Sequence, residues 1–416
     1  MDIKGKKLLI LGGDSRSKDI VLCARSLGVH TIVADYYDVQ RSPAKLVADE
    51  YWNQDVFNTE EVARLIREYK VDGVITGFSD SYLLQYNEIC TAAGLPCYAS
   101  KKVFETTLDK ALFKQLCIDN DVPTVPAFDL ESFDPNVISD TFKVILKPVD
   151  NSGSRGIKVC SRPEDFQSCL DYALSFSKKK EVVIERFMEF DTFSCSYTIQ
   201  DGEISLSTMN DRVVHKVTGA GAVTVCGIYP SKYIDSYLEK IDKKVQSMYE
   251  KLGVKNGVLF IQGFTDGNEY YFYEMGYRLS GGRHYIFTKN QNDTSSLEYL
   301  INFALTGKMA DYRIKDKDNA NFKQLCCQVN VIGKEAEIAE IVGFEHIQSM
   351  PCVIYASLMK NVGDHIGADG TTLQQCAGIY MVVDDYSDFI DKIKEIKQCF
   401  HIYDKDGNDL ILEYLQ

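Results

Sequence analysis

The sequence predicts a multidomain protein that begins as an α/β unit and continues as α+β lobes. Three observations carry this. Residues 6–100 alternate short apolar strands with amphipathic helices, which implies parallel strands joined by crossover helices. Residues 143–160 and 258–275 each read as two strands around a polar, glycine-containing turn, which implies antiparallel hairpins. From residue 318 onward, strand-like runs dominate and one late helix follows. A length of 416 residues is enough for about two to three domains with sizeable cores.

In the first unit, the strand 7–11 ends at Gly12-Gly13. A helix over 19–27 carries Ile20, Cys23, Ala24 and Leu27 on one stripe and stops at Gly28. Strands follow at 31–35 and 71–76. Between them Thr59 caps a helix running to Tyr69, with Val62, Leu65 and Ile66 facing inward. A helix over 82–93 ends at Gly94, and another is expected over 107–120. The segment Val122-Pro123-Thr124-Val125-Pro126 stops that one and marks the first domain boundary.

The middle of the chain starts with strands 143–149 and 156–160 around the turn 151–156. Ser161-Arg162-Pro163-Glu164 has capping-box spacing and opens a helix. Strands 182–186 and 195–200 lead to one long amphipathic helix over 231–252. A hairpin then pairs 258–264 with 270–275 around Asp266-Gly267-Asn268. The tail has strands at 326–332, 352–357 and 377–383, a helix over 386–396, and a turn at Asp404-Lys405-Asp406-Gly407.

A net charge of −14 argues against a phosphate-backbone partner. No run approaches the ~20 apolar residues of a membrane span. The apolar start at residues 8–11 is shorter than a signal-peptide core. The thirteen cysteines are odd in number and form no CxxC pair, and Cys326-Cys327 is adjacent. They read as reduced core residues of a cytoplasmic protein.

Four motifs could carry chemistry. Thr107-Leu108-Asp109-Lys110 places a lysine on a helix, which alone reads as a surface charge. Val144-Ile145-Leu146-Lys147-Pro148 ends an apolar strand in a lysine. Asn151-Ser152-Gly153-Ser154-Arg155-Gly156 follows, a turn whose N–H groups and hydroxyls suit polyphosphate. It is not a Walker A loop, since no GKS or GKT is present. Val182-Val183-Ile184-Glu185-Arg186-Phe187-Met188 is an apolar strand with two charges. Gln262 and Glu274 lie twelve residues apart on the second hairpin, where antiparallel pairing can bring them onto one face. Arg278 and Leu279-Ser280-Gly281-Gly282-Arg283-His284 follow. Arg212, His215 and Lys216 form a further basic cluster.

The order and spacing of these motifs resemble the ATP-grasp superfamily over nearly the whole chain. The layout is closest to the biotin carboxylase, carbamoyl phosphate synthetase and amino-acid ligase branches. The resemblance implies a Rossmann-like pre-ATP-grasp domain over 1–105 and a two-lobed ATP-grasp domain over 106–317. The lobes divide at about 106–190, which includes a lid hairpin, and about 191–317. A C-terminal β-rich subdomain over 318–416 completes the fold. Lys110 and Lys147 would hold ATP phosphates, Ser152, Gly153 and Ser154 the polyphosphate, and Glu185, Arg186, Phe187 and Met188 the adenine. Asp191 would meet the ribose, one residue displaced from the usual acidic position. Glu274 and Gln262 would bind Mg²⁺, with Mn²⁺ as an alternative. The family pattern has Asn where this chain has Gly276. Arg278 would stabilise the transferring phosphoryl group or hold a carboxylate, Lys216 would meet the γ-phosphate and acyl acceptor, and His284 is expected to be structural rather than an acid–base.

The activity implied is ATP-dependent ligation of a small-molecule carboxylate to an amine through an acyl phosphate, releasing ADP and phosphate. Bicarbonate-dependent carboxylation would need the same phosphate machinery. A homodimer is implied by analogy, with no nucleic acid or membrane partner. A different class, a nucleotide sensor or NAD-binding protein, is suggested by Gly12-Gly13 after a strand and Asp35 at the end of the next, although GxGxxG is missing.

Overall fold

The computed structural model describes residues 1–150, 156–217, 221–367 and 372–412. The first unit is a parallel sheet of order β3-β2-β1-β4, made of β1 (Lys7–Leu11), β2 (His30–Asp35), β3 (Glu50–Asn53) and β4 (Gly73–Thr76). Helices α1 (Ser17–Ser26) and α2 (Thr59–Tyr69) cross over from β1 to β2 and from β3 to β4, and α3 (Leu83–Ala93) follows β4. Strands β1 and β2 are buried along nearly their whole length, as a sheet covered on both faces requires. Thr59 does not cap α2. Asn58 does, accepting the Glu61 N–H at 3.2 Å. Gly94 ends α3 at φ +68°, a conformation other residues adopt only with strain.

The helix expected over 107–120 is two helices, α4 (Lys101–Leu108) and α5 (Lys110–Ile118). Asp109 is extended between them, and its carboxylate accepts the N–H groups of Ala111 and Leu112 at 2.8 and 3.0 Å. Apolar periodicity runs through this break because an N-cap interrupts the backbone for only one residue. Lys110 therefore starts a helix rather than riding on the middle of one.

A four-stranded sheet of order β5-β8-β6-β7 forms the next lobe, from β5 (Ala127–Phe128), β6 (Val144–Pro148), β7 (Lys158–Cys160) and β8 (Val182–Arg186). The expected pairing of the 143–160 hairpin is present, Val144 opposite Cys160. Helix α6 (Phe166–Ser175) covers this sheet, but no capping box opens it. A 3₁₀ turn over Pro163–Asp165 precedes it, and its Arg162 cap makes no side-chain capping bond but donates Nε to Asp165 at 2.8 Å.

The largest sheet has eight strands, ordered β13-β12-β9-β10-β11-β14-β19-β17. Its first five strands in chain order are β9 (Asp191–Gln200), β10 (Glu203–Val217), β11 (Gly221–Tyr229), β12 (Gly257–Thr265) and β13 (Tyr270–Gly276). The single helix expected over 231–252 breaks at Ile241 (φ −132°) into α7 (Ile234–Lys240) and α8 (Asp242–Leu252). Helices α9 (Tyr285–Asn292) and α10 (Ser296–Thr306) had no counterpart among the expected elements. The tail adds β14 (Leu325–Ile332), and the minor strands β15 (Ala336–Glu337) and β16 (Glu340–Val342) follow it. After α11 (Phe344–Ser349) come β17 (Val353–Leu358), β18 (His365–Ile366), β19 (Gln375–Val383), α12 (Tyr386–Cys399) and β20 (His401–Tyr403). Strands β14, β17 and β19 extend the same sheet, so the tail packs as part of the larger lobe.

Candidate active site

Four elements, α5, β6, β8 and β13, meet at one cleft. Lys110 and Lys114, one turn apart on α5, line it with Lys147, Glu185, Phe272 and Tyr273. Residues Pro123 and Val125 exchange backbone hydrogen bonds with Phe272, which ties the linker after α5 to β13.

Sheet register explains the charge cluster. In the β6–β8 ladder Ile145 faces Glu185 and Lys147 faces Val183. Lys147 and Glu185 are thus diagonal neighbours on one face, and their side chains meet at 2.6 Å. Lys114 reaches the other Glu185 oxygen at 3.0 Å. Burial pushes the Glu185 carboxyl up, but Lys147 and Lys114 outweigh it and hold the group below the ordinary glutamate range. Lys110 moves down, chiefly through burial. Glu274 opposes that shift and Lys147 adds to it. Three lysines and two glutamates leave the cluster one positive charge, which suits a polyanion.

Glu274 sits directly opposite Gln262 in the β12–β13 ladder, as the hairpin reading requires. Glu274 is half-buried and makes no hydrogen bond or ion pair among the described residues. Its charge acts on Lys110. Gln262 does not fit the expected role of metal ligand. Its Oε1 accepts from Arg212 Nη1 at 2.9 Å and from the Tyr273 hydroxyl at 3.2 Å. Both lone pairs are spent, and one donor is itself a cation. Arg212 also donates to Tyr273 at 2.6 Å and to Thr224 at 2.6 Å, so it buttresses the hairpin from β10 and β11.

Gly276 has a steric cause. A Cβ there would lie 2.4 Å from the Phe260 ring, so the ring occupies the space an asparagine side chain would need. Gly276→Asn is expected to overpack this contact and cost about 1–3 kcal/mol in urea denaturation. The companion Phe260→Ala should recover much of the loss.

Several expected residues lie elsewhere. Arg278 grips Asp80 through Nε and Nη2, both at 2.6 Å, and gives Nη1 to the Leu279 carbonyl. It joins the first unit to the large sheet and is not among the lysines. Arg186 is exposed with its guanidinium over Phe142, because strand alternation sends it opposite to Glu185. Phe187 and Met188 follow, half-buried, outside the residues lining the cleft. Asp191 is held by Lys232 at 2.8 Å and by the Tyr233 hydroxyl at 2.6 Å, and these bonds, Lys232's first, lower its pKa. Ser152, Gly153, Ser154 and the Lys216 side chain lie outside the described residues. Lys114 was missed, although its place four residues after Lys110 on a helix puts both on one face.

His284 is structural, as expected. Its Nδ1 meets the Tyr229 hydroxyl at 2.7 Å, and burial, then Arg212, lowers its pKa to about 4. A folded pKa below the unfolded value of about 6.5 means the unfolded chain binds the proton first as pH falls. This contribution is complete above about pH 6.5 and is lost toward pH 4, a fall of about 3 kcal/mol. Urea denaturation across that window should show it, and His284→Asn should flatten it.

Asp35 leaves little for a dinucleotide reading. Its carboxylate accepts the Gly13 N–H at 2.8 Å, the Tyr37 N–H at 3.0 Å and the Ser42 hydroxyl at 3.2 Å. The acid that would hold a ribose is spent on its own loop.

No family model matches the sequence. The chain is 25% identical over 284 residues to the formate-dependent phosphoribosylglycinamide formyltransferase of Prochlorococcus marinus (strain MIT 9303). That match covers 67% of this chain and 71% of the relative. Among solved structures, it superposes with TM-score 0.77 and 16% identity on the L-amino acid ligase from Bacillus licheniformis, covering 96% of this chain and 98% of that one. It also matches the biotin carboxylase domain of the Hydrogenobacter thermophilus 2-oxoglutarate carboxylase, in complex with MgADP, ADP and bicarbonate. The TM-score is 0.77 at 16% identity, over 97% and 91% of the two chains. With a parallel first sheet, a small antiparallel lobe and a large antiparallel lobe closing on a lysine-lined cleft, the chain is by fold an ATP-grasp protein.

Proposed function

We propose that this chain is an ATP-dependent ligase that activates a small-molecule carboxylate as an acyl phosphate and joins it to an amine, releasing ADP and phosphate. The observation that carries this is that Lys110 and Lys147 line one cleft between two lobes, with the Glu274 carboxylate close enough to act on the charge of Lys110. The named relatives support it, since formate is the acid in the formyltransferases and an amino acid in the ligase.

Glu274 fits Mg²⁺, because a half-buried carboxylate without a protein partner faces a lysine cluster built for polyanions. When bound there, the ion would supply positive charge to the polyphosphate. The rest falls to the chain's own residues. Lys110 and Lys147 meet phosphate charge, with Lys147 released from Glu185 while Lys114 keeps that carboxylate paired. Tyr273, packed under Lys147 and bonded to Arg212, fixes the floor of the cleft. Catalysis of this kind is mostly positioning and electrostatics. The same reading takes residues 1–105, 106–317 and 318–416 as the working units, with a cytoplasmic homodimer as the assembly. No helix among the described residues is long and apolar enough to cross a membrane.

The test is an ADP-release screen of carboxylates against amines, run with and without bicarbonate. Release that needs both a carboxylate and an amine supports ligation. Release driven by bicarbonate with an amine alone would replace it with carboxylation, and release with neither would remove the proposal.

A further inference from the structure

Arg16 ends the loop after β1 and stands directly before α1. It is half-buried, and its guanidinium packs on Gly281, 3.8–4.0 Å from where a Cβ would be. Among the described residues it makes no hydrogen bond or ion pair. Two more guanidinium groups act on it, those of Arg283 and Arg278. Burial lowers its pKa first, Asp14 opposes that shift, and the two arginines reinforce it.

The neighbouring charges are already matched. Arg278 is clamped by Asp80. Arg283 is paired with Asp19 at 3.0 Å and donates to Ser357 at 2.6 Å. Asp14 is turned to its own turn, accepting the Ser17 N–H and hydroxyl. A buried cation without a contacting counterion is costly, so a site that keeps one is built to receive an anion. The three arginines face three aspartates, and only Arg16 lacks direct contact with one of them. The local formal charges thus sum to zero, so a singly charged anion unbalances the cluster less than a phosphate dianion does. A planar guanidinium also matches a carboxylate through two parallel bonds. The site is near the chemistry, since Arg278 follows Glu274 by four residues, at most about 14 Å of extended chain.

On the ligase reading above, we infer that Arg16 is the carboxylate anchor for the second substrate. That substrate carries a singly charged carboxylate, as an α-amino acid does, and not a phosphate. The partly exposed Asp80 beside Arg278 offers the amino group an acceptor.

The test uses the full chain. Thermal shift is read with L-amino acids, with their amides and with ribose 5-phosphate, each with and without MgADP. ADP release is then measured with the acid that binds. Stabilisation by an amino acid but not by its amide or the sugar phosphate is expected. Arg16→Gln should raise KM for that acid about 10- to 100-fold. Its KM for ATP should stay unchanged, and Arg16→Lys should restore part of the loss. Stabilisation by ribose 5-phosphate that Arg16→Gln removes would overturn the inference in favour of a phosphorylated substrate. No shift with any of these anions, or equal KM values in Arg16→Gln, would overturn it as well. Failure of MgADP to shift the protein would instead strike the ligase reading, so the two failures are separable. If Arg16→Gln does not fold, Arg16→Lys alone decides, because it keeps the charge and loses the two-pronged geometry.

Discussion

Glu274→Ala is expected to cut substrate-dependent ADP release by about 100- to 1000-fold while leaving the fold intact. Glu274 makes no hydrogen bond or ion pair among the described residues, so its removal breaks no internal contact. Its charge acts on Lys110 and on Tyr273, both of which line the cleft. A carboxylate of that kind contributes to ligand chemistry rather than to stability, and urea denaturation of the variant should match the parent. Lys147→Ala should lose activity to a similar extent for a different reason. It removes the proposed phosphate contact and also unpairs one oxygen of Glu185, although Lys114 still holds the other. A modest loss of stability is expected beside the catalytic loss. Lys147→Met combined with Glu185→Gln should restore the stability and leave the activity low. Near-normal ADP release in both Glu274→Ala and Lys147→Ala would discard the site. A loss confined to KM for the carboxylate, with ATP affinity intact, would move these residues out of the phosphate cluster.

Much of this architecture can be read from local pattern. Strands β1, β2 and β4 of the first sheet follow from apolar runs separated by amphipathic stripes, because helices alternate with buried strands there; the short β3, joined to β2 without an α-helix, escaped. The Gln262–Glu274 register follows from one hairpin, and Lys147 from the end of an apolar strand. What sequence does not carry is the direction of long polar side chains across different elements. Gln262 was paired with the right neighbour, yet its oxygen is taken by Arg212 from a strand fifty positions away. Arg278 follows Glu274 by four residues, but Asp80, 198 residues earlier, claims its guanidinium. Arg186 shows a smaller failure of the same kind. Its strand was correctly placed, and the period of two then puts it opposite Glu185, so both could not serve one cleft. The helix breaks at Asp109 and Ile241 escaped because apolar spacing continues through a single-residue interruption. Gly276 was visible as a departure from the family pattern, but its cause, the Phe260 ring, is a contact across the hairpin.

Asp19→Ala is expected to be the most destabilising single substitution considered, at about 3–5 kcal/mol. Asp19 lies on α1 of the first unit, is ion-paired with Arg283 Nε at 3.0 Å, and accepts from the Tyr355 hydroxyl at 2.8 Å and from the Tyr285 hydroxyl. Arg283 is in the loop after β13, Tyr285 opens α9 and Tyr355 is on β17, so one carboxylate joins three separate parts of the fold. Both charged partners are almost fully buried, at 9% exposed for Asp19 and 3% for Arg283. Breaking such a pair leaves the remaining ion without water or counterion, which costs more than the pair itself contributes. The residual Ser357 bond cannot neutralise the guanidinium. Asp19→Asn should cost nearly as much as Asp19→Ala, since it keeps the shape and loses the charge. The decisive comparison is the double variant Asp19→Ala with Arg283→Met. Removing both charges together should recover more than half of the loss, because no buried ion is left unpaired. Urea denaturation of the two single variants and the double variant measures this coupling. Additive losses would show that Asp19 acts through packing alone and that the junction of the three parts does not depend on charge.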